Sequence, residues 1–284
     1  MTAAPAAAPA GAVATAAPAR RAGFAHLLLS EWTKIRSVRS TVWTLVLFVV
    51  ITIGLTVLVT SLVSATWDSG PRHLARDATI ATDPIGVIMG VSVALGQLTI
   101  CVLGVLVIST EYSTGVIRAS LLAVPRRLSM LLAKVTVFAF LIVVLAEIVV
   151  FAAFFTGSAI LHSHVSISLG EPNLTRSVVG AGLYLTVLGL FAVGIGGLIR
   201  HTAGAISAVI GIVLILPIIT NLLPSNTWDN HINAYTPTMA GQMVAHAHQA
   251  SGDLLTAWQG FGVECIWAAV ALAGAAFLLH RRDA

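Results

Sequence analysis

Six long apolar runs decide what this chain can fold into. They fall at about 41–63, 85–109, 135–157, 177–199, 204–223 and 257–279 of 284 residues. A helix of about 20 apolar residues is long enough to cross the hydrocarbon core of a bilayer. The composition agrees: 57% of residues are apolar and 9% charged, with a mean hydropathy of +0.96, whereas soluble domains carry about 25% charged residues. The expected fold class is therefore an all-α polytopic membrane protein, with 23–284 as a single six-helix transmembrane domain.

The placement of charge orients the spans. With both termini in the cytoplasm, the inner segments hold Arg20, Arg21, Lys34, Arg36, Arg39, Arg118, Arg126, Arg127, Lys134, Arg200, Arg281 and Arg282. The outer segments hold Arg72, Arg76 and Arg176, and carry Asp68, Asp77, Asp83, Glu171, Asp229 and Asp253. Twelve cations against three satisfy the positive-inside rule. Cations that flank spans in this way point to lipid headgroups, not to nucleic acid. Cys101 and Cys265 fall inside spans and read as small buried hydrophobes, so they set no disulfide framework.

Residues 1–22 are Ala/Pro low complexity and are expected to be disordered. Val63-Ser64-Ala65 resembles a signal cleavage site. The apolar run before it exceeds the roughly 7–15 residues of a signal h-region, so a retained first span is expected.

Two polar segments lie at the inner surface. From Phe24 to Arg39, residues Phe24, Leu27, Leu28, Trp32 and Ile35 recur at helical spacing, with Ser30, Glu31, Lys34 and Ser37 between them. The pattern predicts an in-plane amphipathic helix at headgroup level, anchored by Trp32, with Arg36 and Arg39 near its C-terminal end. From Thr110 to Arg127, a short amphipathic helix is expected with Ile117, Leu121 and Val124 on one face, and with Arg118 and Ser120 pointing elsewhere. Gly115 breaks the chain before it and Pro125 stops it. Arg126 and Arg127 then open the next helix, where the dipole disfavours cations. An anionic neighbour, lipid headgroups or an acidic partner, is expected there.

Glu111-Tyr112-Ser113-Thr114-Gly115-Val116-Ile117-Arg118, then Ala123-Val124-Pro125-Arg126-Arg127 and Lys134, resembles the cytoplasmic loop of ABC-2 type transporter permeases. The segment Leu29–Ser40 is similar to the N-terminal stretch of actinobacterial members, and Arg281-Arg282-Asp283-Ala284 is a weak echo of their ends. The resemblance implies a permease subunit of an ATP-driven exporter in a bacterial cell membrane. It implies a homodimer or heterodimer of six-span halves, each engaging a cytosolic ABC ATPase. It assigns ATPase coupling to Glu111, Tyr112, Thr114, Gly115, Ile117, Arg118, Leu121, Pro125, Arg126 and Arg127. It assigns a connecting helix to Phe24, Leu28, Glu31, Trp32, Ile35 and Arg36. ATP and Mg would sit on the partner: no G-x-x-x-x-G-K-[ST] occurs in this chain, and no soluble segment is large enough for an ATPase domain. No enzymatic site and no cofactor are expected in the chain itself.

Polar residues inside the spans are costly and are candidates for function. Gln97 and Glu147 lie near the middles of the second and third spans and are expected to meet, either lining a polar path or tying helices together. Glu264, about two turns into the sixth span, is expected to snorkel outward or to line an outer vestibule. Thr44, Thr52, Thr56 and Thr60 share a face of the first span, as interhelical hydrogen-bonding groups or as part of a path. Small residues recur every four positions at Gly86, Gly90 and Ala94, and at Ala203, Ser207 and Gly211; such stripes let helices approach closely. In the last outer loop a helix is expected over 238–249, dipping back to cap the bundle, after a kink at Pro217.

The pairs His162/His164 and His246/His248 read as solvated loop residues, and no metal site is assigned. A hydrolase drawn from His231 and Asp229 lacks a nucleophile motif. Two other classes remain open: a polytopic membrane enzyme, and a non-transporting anchor or immunity subunit.

Overall fold

The computed structural model describes residues 23–65, 67, 84–115, 127–165, 172–222, 227–248 and 252–281. The described residues are mostly helical and contain no strand. Helix α1 spans Phe24–Ser37, α2 Arg39–Ala65, α3 Pro84–Ser113, α4 Arg127–Leu161 and α5 Leu174–Ile199. The fifth apolar run is divided into α6 (Thr202–Ile210), a π turn (Gly211–Ile215) and α7 (Leu216–Leu222). Helices α8 (Thr227–Ala234) and α9 (Pro237–Gln242), a 3-10 turn (Met243–Ala245) and α10 (Ala257–Arg281) complete the chain. Among the described residues six helices are long and apolar enough to cross a membrane, which makes this a multi-pass membrane protein. The helices extend past the apolar runs at several ends. The largest extensions are in α3, which continues to Ser113, and α4, which already begins at Arg127.

Helix α5 is the axis of the bundle. About 72% of its apolar stretch is buried, against 28% for α2 and α10 and 22% for the fifth span. Its glycines make this possible. A Cβ on Gly194 or Gly197 would meet the Cβ of Ala271 or Ala275 of α10 at 2.6 and 2.8 Å, and one on Gly104 of α3 would meet the Gly189 carbonyl at 2.5 Å. Close backbone approach is thus built from α5 and Gly104. The stripes expected to do this work face outward instead. Gly90, Ala94, Ala203 and Ser207 are exposed, and nothing lies within 4 Å of the Cβ position at Gly90 or Gly211. Four-residue spacing selects a helix face but does not say which way that face turns.

The fifth span carries the clearest local logic. Pro217 has no N–H, so the carbonyl of Val213, four residues earlier, loses its helical donor. The Thr238 hydroxyl of α9 donates to that carbonyl at 3.1 Å. A π turn occupies Gly211–Ile215 immediately before the proline, as expected where a helix must absorb a break. One turn on, the Thr220 hydroxyl donates to Asn233 Oδ1 at 2.8 Å, fastening α7 to α8.

The segment from Thr236 to Ala247 inserts between α5 and α10. Thr236 caps α9 by accepting from the Met239 N–H at 3.4 Å, with Pro237 in its first turn. The α-helix ends at Gln242, shorter than the span 238–249 expected, because the backbone tightens into the 3-10 turn. The chain then leaves the helix at His246. Irregular backbone packed between membrane-spanning helices needs partners from the protein. Arg176 donates to the His246 carbonyl at 2.9 Å, and Ser177 donates to that of Ala245. Gly180 and Gly260 admit the segment: a Cβ at either would strike the carbonyls of Val244 or Ala240, at 2.4 and 2.2 Å.

Candidate functional site

Four charged side chains from three helices close a ring at the α1 end of the bundle. Glu31 and Lys34 stand one turn apart on α1, Glu111 on the last turn of α3, and Lys134 two turns into α4. Lys134 Nζ donates to Glu31 Oε2 at 2.6 Å and to Glu111 Oε1 at 2.8 Å. Lys34 Nζ donates to Glu31 Oε1 at 2.7 Å and to Glu111 Oε1 at 3.1 Å. Each cation therefore touches both anions, and the net charge of the ring is zero. Glu31 and Lys134 are 3% and 2% exposed, so this is an interior ion cluster and not a surface pair. Burial acts to raise the pKa of Glu31. The adjacent Lys134 charge and the hydrogen bonds from Lys134 and Lys34 outweigh it and hold the carboxyl below its usual value. For Lys34, burial acts downward, and the Glu31 hydrogen bond with the Glu111 charge outweighs it, leaving the ammonium pKa raised.

The ring fixes which face of α1 meets the bundle. Glu31 and Ile35 are the buried residues of this helix, whereas Phe24 is 47% and Trp32 39% exposed. Leu28 is half-buried and Arg36 exposed. The face turned to the bundle therefore carries Glu31 with Ile35, held by the buried partners of Glu31, and Phe24 and Trp32 lie away from it.

Arginines fasten the neighbouring helix ends. Arg127 Nη1 donates to the carbonyl of Leu279 and Arg200 Nη2 to that of Leu278, each at 2.9 Å. Both carbonyls belong to the last turn of α10, which lacks intrahelical donors and carries the negative end of the helix dipole. Such an end supplies the anionic neighbour that Arg127 was expected to have in headgroups or an acidic partner. The Arg200 guanidinium also lies 5.0 Å over the Tyr112 ring. Lys34, Arg127, Lys134 and Arg200 are thus drawn together at one end of the bundle.

Other expected coupling residues fall as follows. Glu111 and Tyr112 belong to α3 itself and not to a separate rod, since that helix runs on to Ser113. The Thr114 hydroxyl bonds the Thr110 carbonyl at 2.7 Å, and Gly115 ends the segment at φ +72°, the left-handed conformation that terminates helices. Ile117, Arg118, Leu121, Pro125 and Arg126 lie outside the described residues, as does the 1–22 tail.

The polar residues of the spans sort into three places. Thr52 and Thr56 are buried between α2 and α3, where Thr56 Oγ1 and Ser92 Oγ share a hydrogen bond of 3.0 Å. Gln97 does not meet Glu147. Its Oε1 accepts from Tyr184 Oη at 2.6 Å and from Gln242 Nε2 at 3.2 Å, so the inserted segment takes the partner expected from α4. Glu147 instead lies against Gly182 of α5, where a Cβ would meet its carboxyl carbon at 2.6 Å. Glu264 neither snorkels nor borders an open vestibule: it is fully buried, with its carboxyl and the Tyr184 ring packed on Gly241. Neither Glu264 oxygen has a hydrogen-bond partner. The depth follows from chain position. Glu264 is seven residues into α10, about 10 Å along its axis. Among the loop histidines, His164 bonds Ser64 at 3.1 Å and stacks on Trp67.

Lys34, Lys134, Tyr184 and Gln242 were not singled out as site residues from the sequence. For Lys134 a signal existed. A lysine two turns into a long apolar helix needs an anion at its own depth, and Glu31 and Glu111 are the acidic residues at the inner ends of their segments. Tyr184 and Gln242 gave no such signal. Compared with descriptions of protein families and with curated proteins, the chain matches none.

Proposed function

We propose that this chain is the membrane-spanning permease subunit of an ATP-driven exporter, taking its energy from a separate ATP-binding subunit. The carrying observation is the ring of Glu31, Lys34, Glu111 and Lys134. It joins α1 to the end of α3 and the start of α4, the two helices that flank residues 116–126. Displacement of α1 or of that loop is thereby delivered to the second and third spans as one body. Rigid-body motion of this kind is how switching proteins amplify a local push. The likeness of 111–127 and 29–40 to permease segments supports the same reading.

In this account the α1 end of the bundle faces the cytoplasm of a bacterial cell, in keeping with its cations. The partner ATPase holds ATP and Mg, and two permease chains pair, as identical or different halves. The outward stripes of Gly90 and Ala94 on α3 and of Ala203 and Ser207 on α6 offer small-residue faces for such pairing.

The test is affinity purification of the full chain from native membranes in mild detergent. A P-loop ATPase is expected at stoichiometric yield. Recovery of the chain with no ATPase, after cross-linking in the cell as well as without it, rejects the reading.

A further inference from the structure

Glu147 lies near the middle of the apolar stretch of α4, about 30 Å along the helix from Arg127. The side chain is half-buried, with its carboxyl laid against Gly182 of α5. A Cβ at Gly182 would come within 2.6 Å of that carboxyl, so the glycine is what gives it room. Among the described residues no hydrogen bond or ion pair reaches it. Oε2 is buried without a partner, and Oε1, equally unpartnered, opens to the surface of the bundle. That surface is apolar. Val144, one turn before Glu147, and Ile148 beside it are 44% and 61% exposed, and Phe151, one turn after it, is half-buried.

A carboxyl group that faces hydrocarbon alone is costly, and such groups in membrane proteins are paired or mark the route of a ligand. This chain offers no counter-charge at that depth. None of the six apolar runs contains lysine, arginine or histidine, and Lys134, just before the third run, is held in the ion ring. A second copy of the chain would therefore bring no cation to Glu147 either.

We infer that Glu147 is the recognition point for a lipophilic organic cation that reaches the bundle from the bilayer, with its charge at Oε1 and its apolar body along Val144, Ile148 and Phe151. The sign of the ligand follows from the carboxylate, and its apolar body from the wall around it. An anion is repelled there, and a strongly hydrated cation does not enter the midplane of a bilayer. Calling this cation the exported substrate rests on the exporter reading. Its binding does not, and is measured on the chain without an ATPase, so the two readings fail separately.

Equilibrium dialysis of radiolabelled tetraphenylphosphonium against the full chain in mild detergent, corrected with empty micelles, tests it. Saturable binding of one cation per chain is expected. Tetraphenylborate, which has the same shape and the opposite charge, is measured separately and should show no saturable binding. In Glu147→Gln, which keeps the size of the side chain, affinity for the cation should fall at least about tenfold, the worth of one close charge partner away from water. Val144→Trp provides a second arm. It covers the carboxyl from the exposed side of α4, leaves its charge in place, and should also weaken binding. Absence of saturable cation binding by the unaltered chain overturns the inference. So does affinity unchanged in Glu147→Gln or in Val144→Trp, or saturable binding of tetraphenylborate.

Discussion

Lys134 Nζ lies 2.6 Å from Glu31 Oε2, joining residues 103 positions apart in the chain. The two belong to different kinds of segment: α4 is a long apolar helix, and α1 a short amphipathic one. Both groups are almost fully buried, so neither can lose its partner without leaving a bare charge.

Removing one partner of a buried ion pair costs about 3–5 kcal/mol. Glu31→Ala is expected to lose stability in that range, because Lys134 and Lys34 would then share Glu111 alone. Lys134→Met, which leaves two carboxylates on one lysine, is expected to do the same. The double variant should cost less than the sum by about 1–3 kcal/mol, the coupling usual for residues in one network. Thermal unfolding in detergent followed by Trp fluorescence reads these values; strict additivity would show that the pair is not coupled.

The same ring predicts a pH window. Glu31 has a folded pKa below its unfolded value, so its contribution is complete above about pH 4.3 and is lost as pH falls through the lower folded value. Lys34 has a raised folded pKa, so its contribution is complete below about pH 10.4 and is lost as pH climbs through the higher folded value. Docking of α1 should therefore be flat between these limits. Hydrogen exchange over residues 24–37, corrected for intrinsic rates, checks this; a step in α1 protection near neutral pH would contradict it.

The proline in the fifth span sets up a conditional prediction. Thr238→Val removes the donor that the Val213 carbonyl uses in place of a helical N–H, and should cost about 1–3 kcal/mol. With Pro217→Ala restoring a backbone N–H, the Thr238→Val penalty should shrink to below about 1 kcal/mol. A double-mutant cycle measures the difference. An unchanged penalty would mean that Thr238 acts through something other than this carbonyl.

Glycine substitutions separate inserted backbone from outward faces. Gly180→Ala drives a methyl to 2.4 Å from the Val244 carbonyl and should cost about 1–3 kcal/mol, or displace residues 236–247. Gly90→Ala meets nothing within 4 Å and should be neutral in the isolated chain, or stabilise α3 by up to about 1 kcal/mol. Denaturation of both variants, with protease accessibility of the 246–248 turn, distinguishes them.

What could be read from the sequence follows what the solvent dictates. Spans were legible because lipid demands unbroken apolar helices, and their number and approximate limits match the structure. The break at Pro217 was legible because the missing N–H is a local fact, but its repair by Thr238 depends on a chain segment about twenty residues away. The pairing of Glu31 with Lys134 was hidden for a similar reason. Hydropathy treats every charge as outward-facing, and only the approach of three helices turns these four inward. Gln97 was legible as a residue needing a partner, though not as a residue needing Tyr184 and Gln242. The outward turn of the Gly90 and Ser207 stripes was hidden, since spacing carries no direction.

The most direct test of force transfer through the ring is a spin-label distance measured in the purified complex with the ATPase proposed as its partner. Labels at Leu29 of α1 and Leu132 of α4, both exposed positions, report whether these helices move as one body. The account predicts a narrow Leu29–Leu132 distribution that is unchanged between the nucleotide-free and ATP-bound states, and that broadens in Lys134→Met. A second pair, Leu29 with the exposed Ile218 near the far end of the fifth span, should shift on ATP binding. If α1 parts from α4 when ATP binds, while the Leu29–Ile218 distance stays fixed, the ring does not carry the motion.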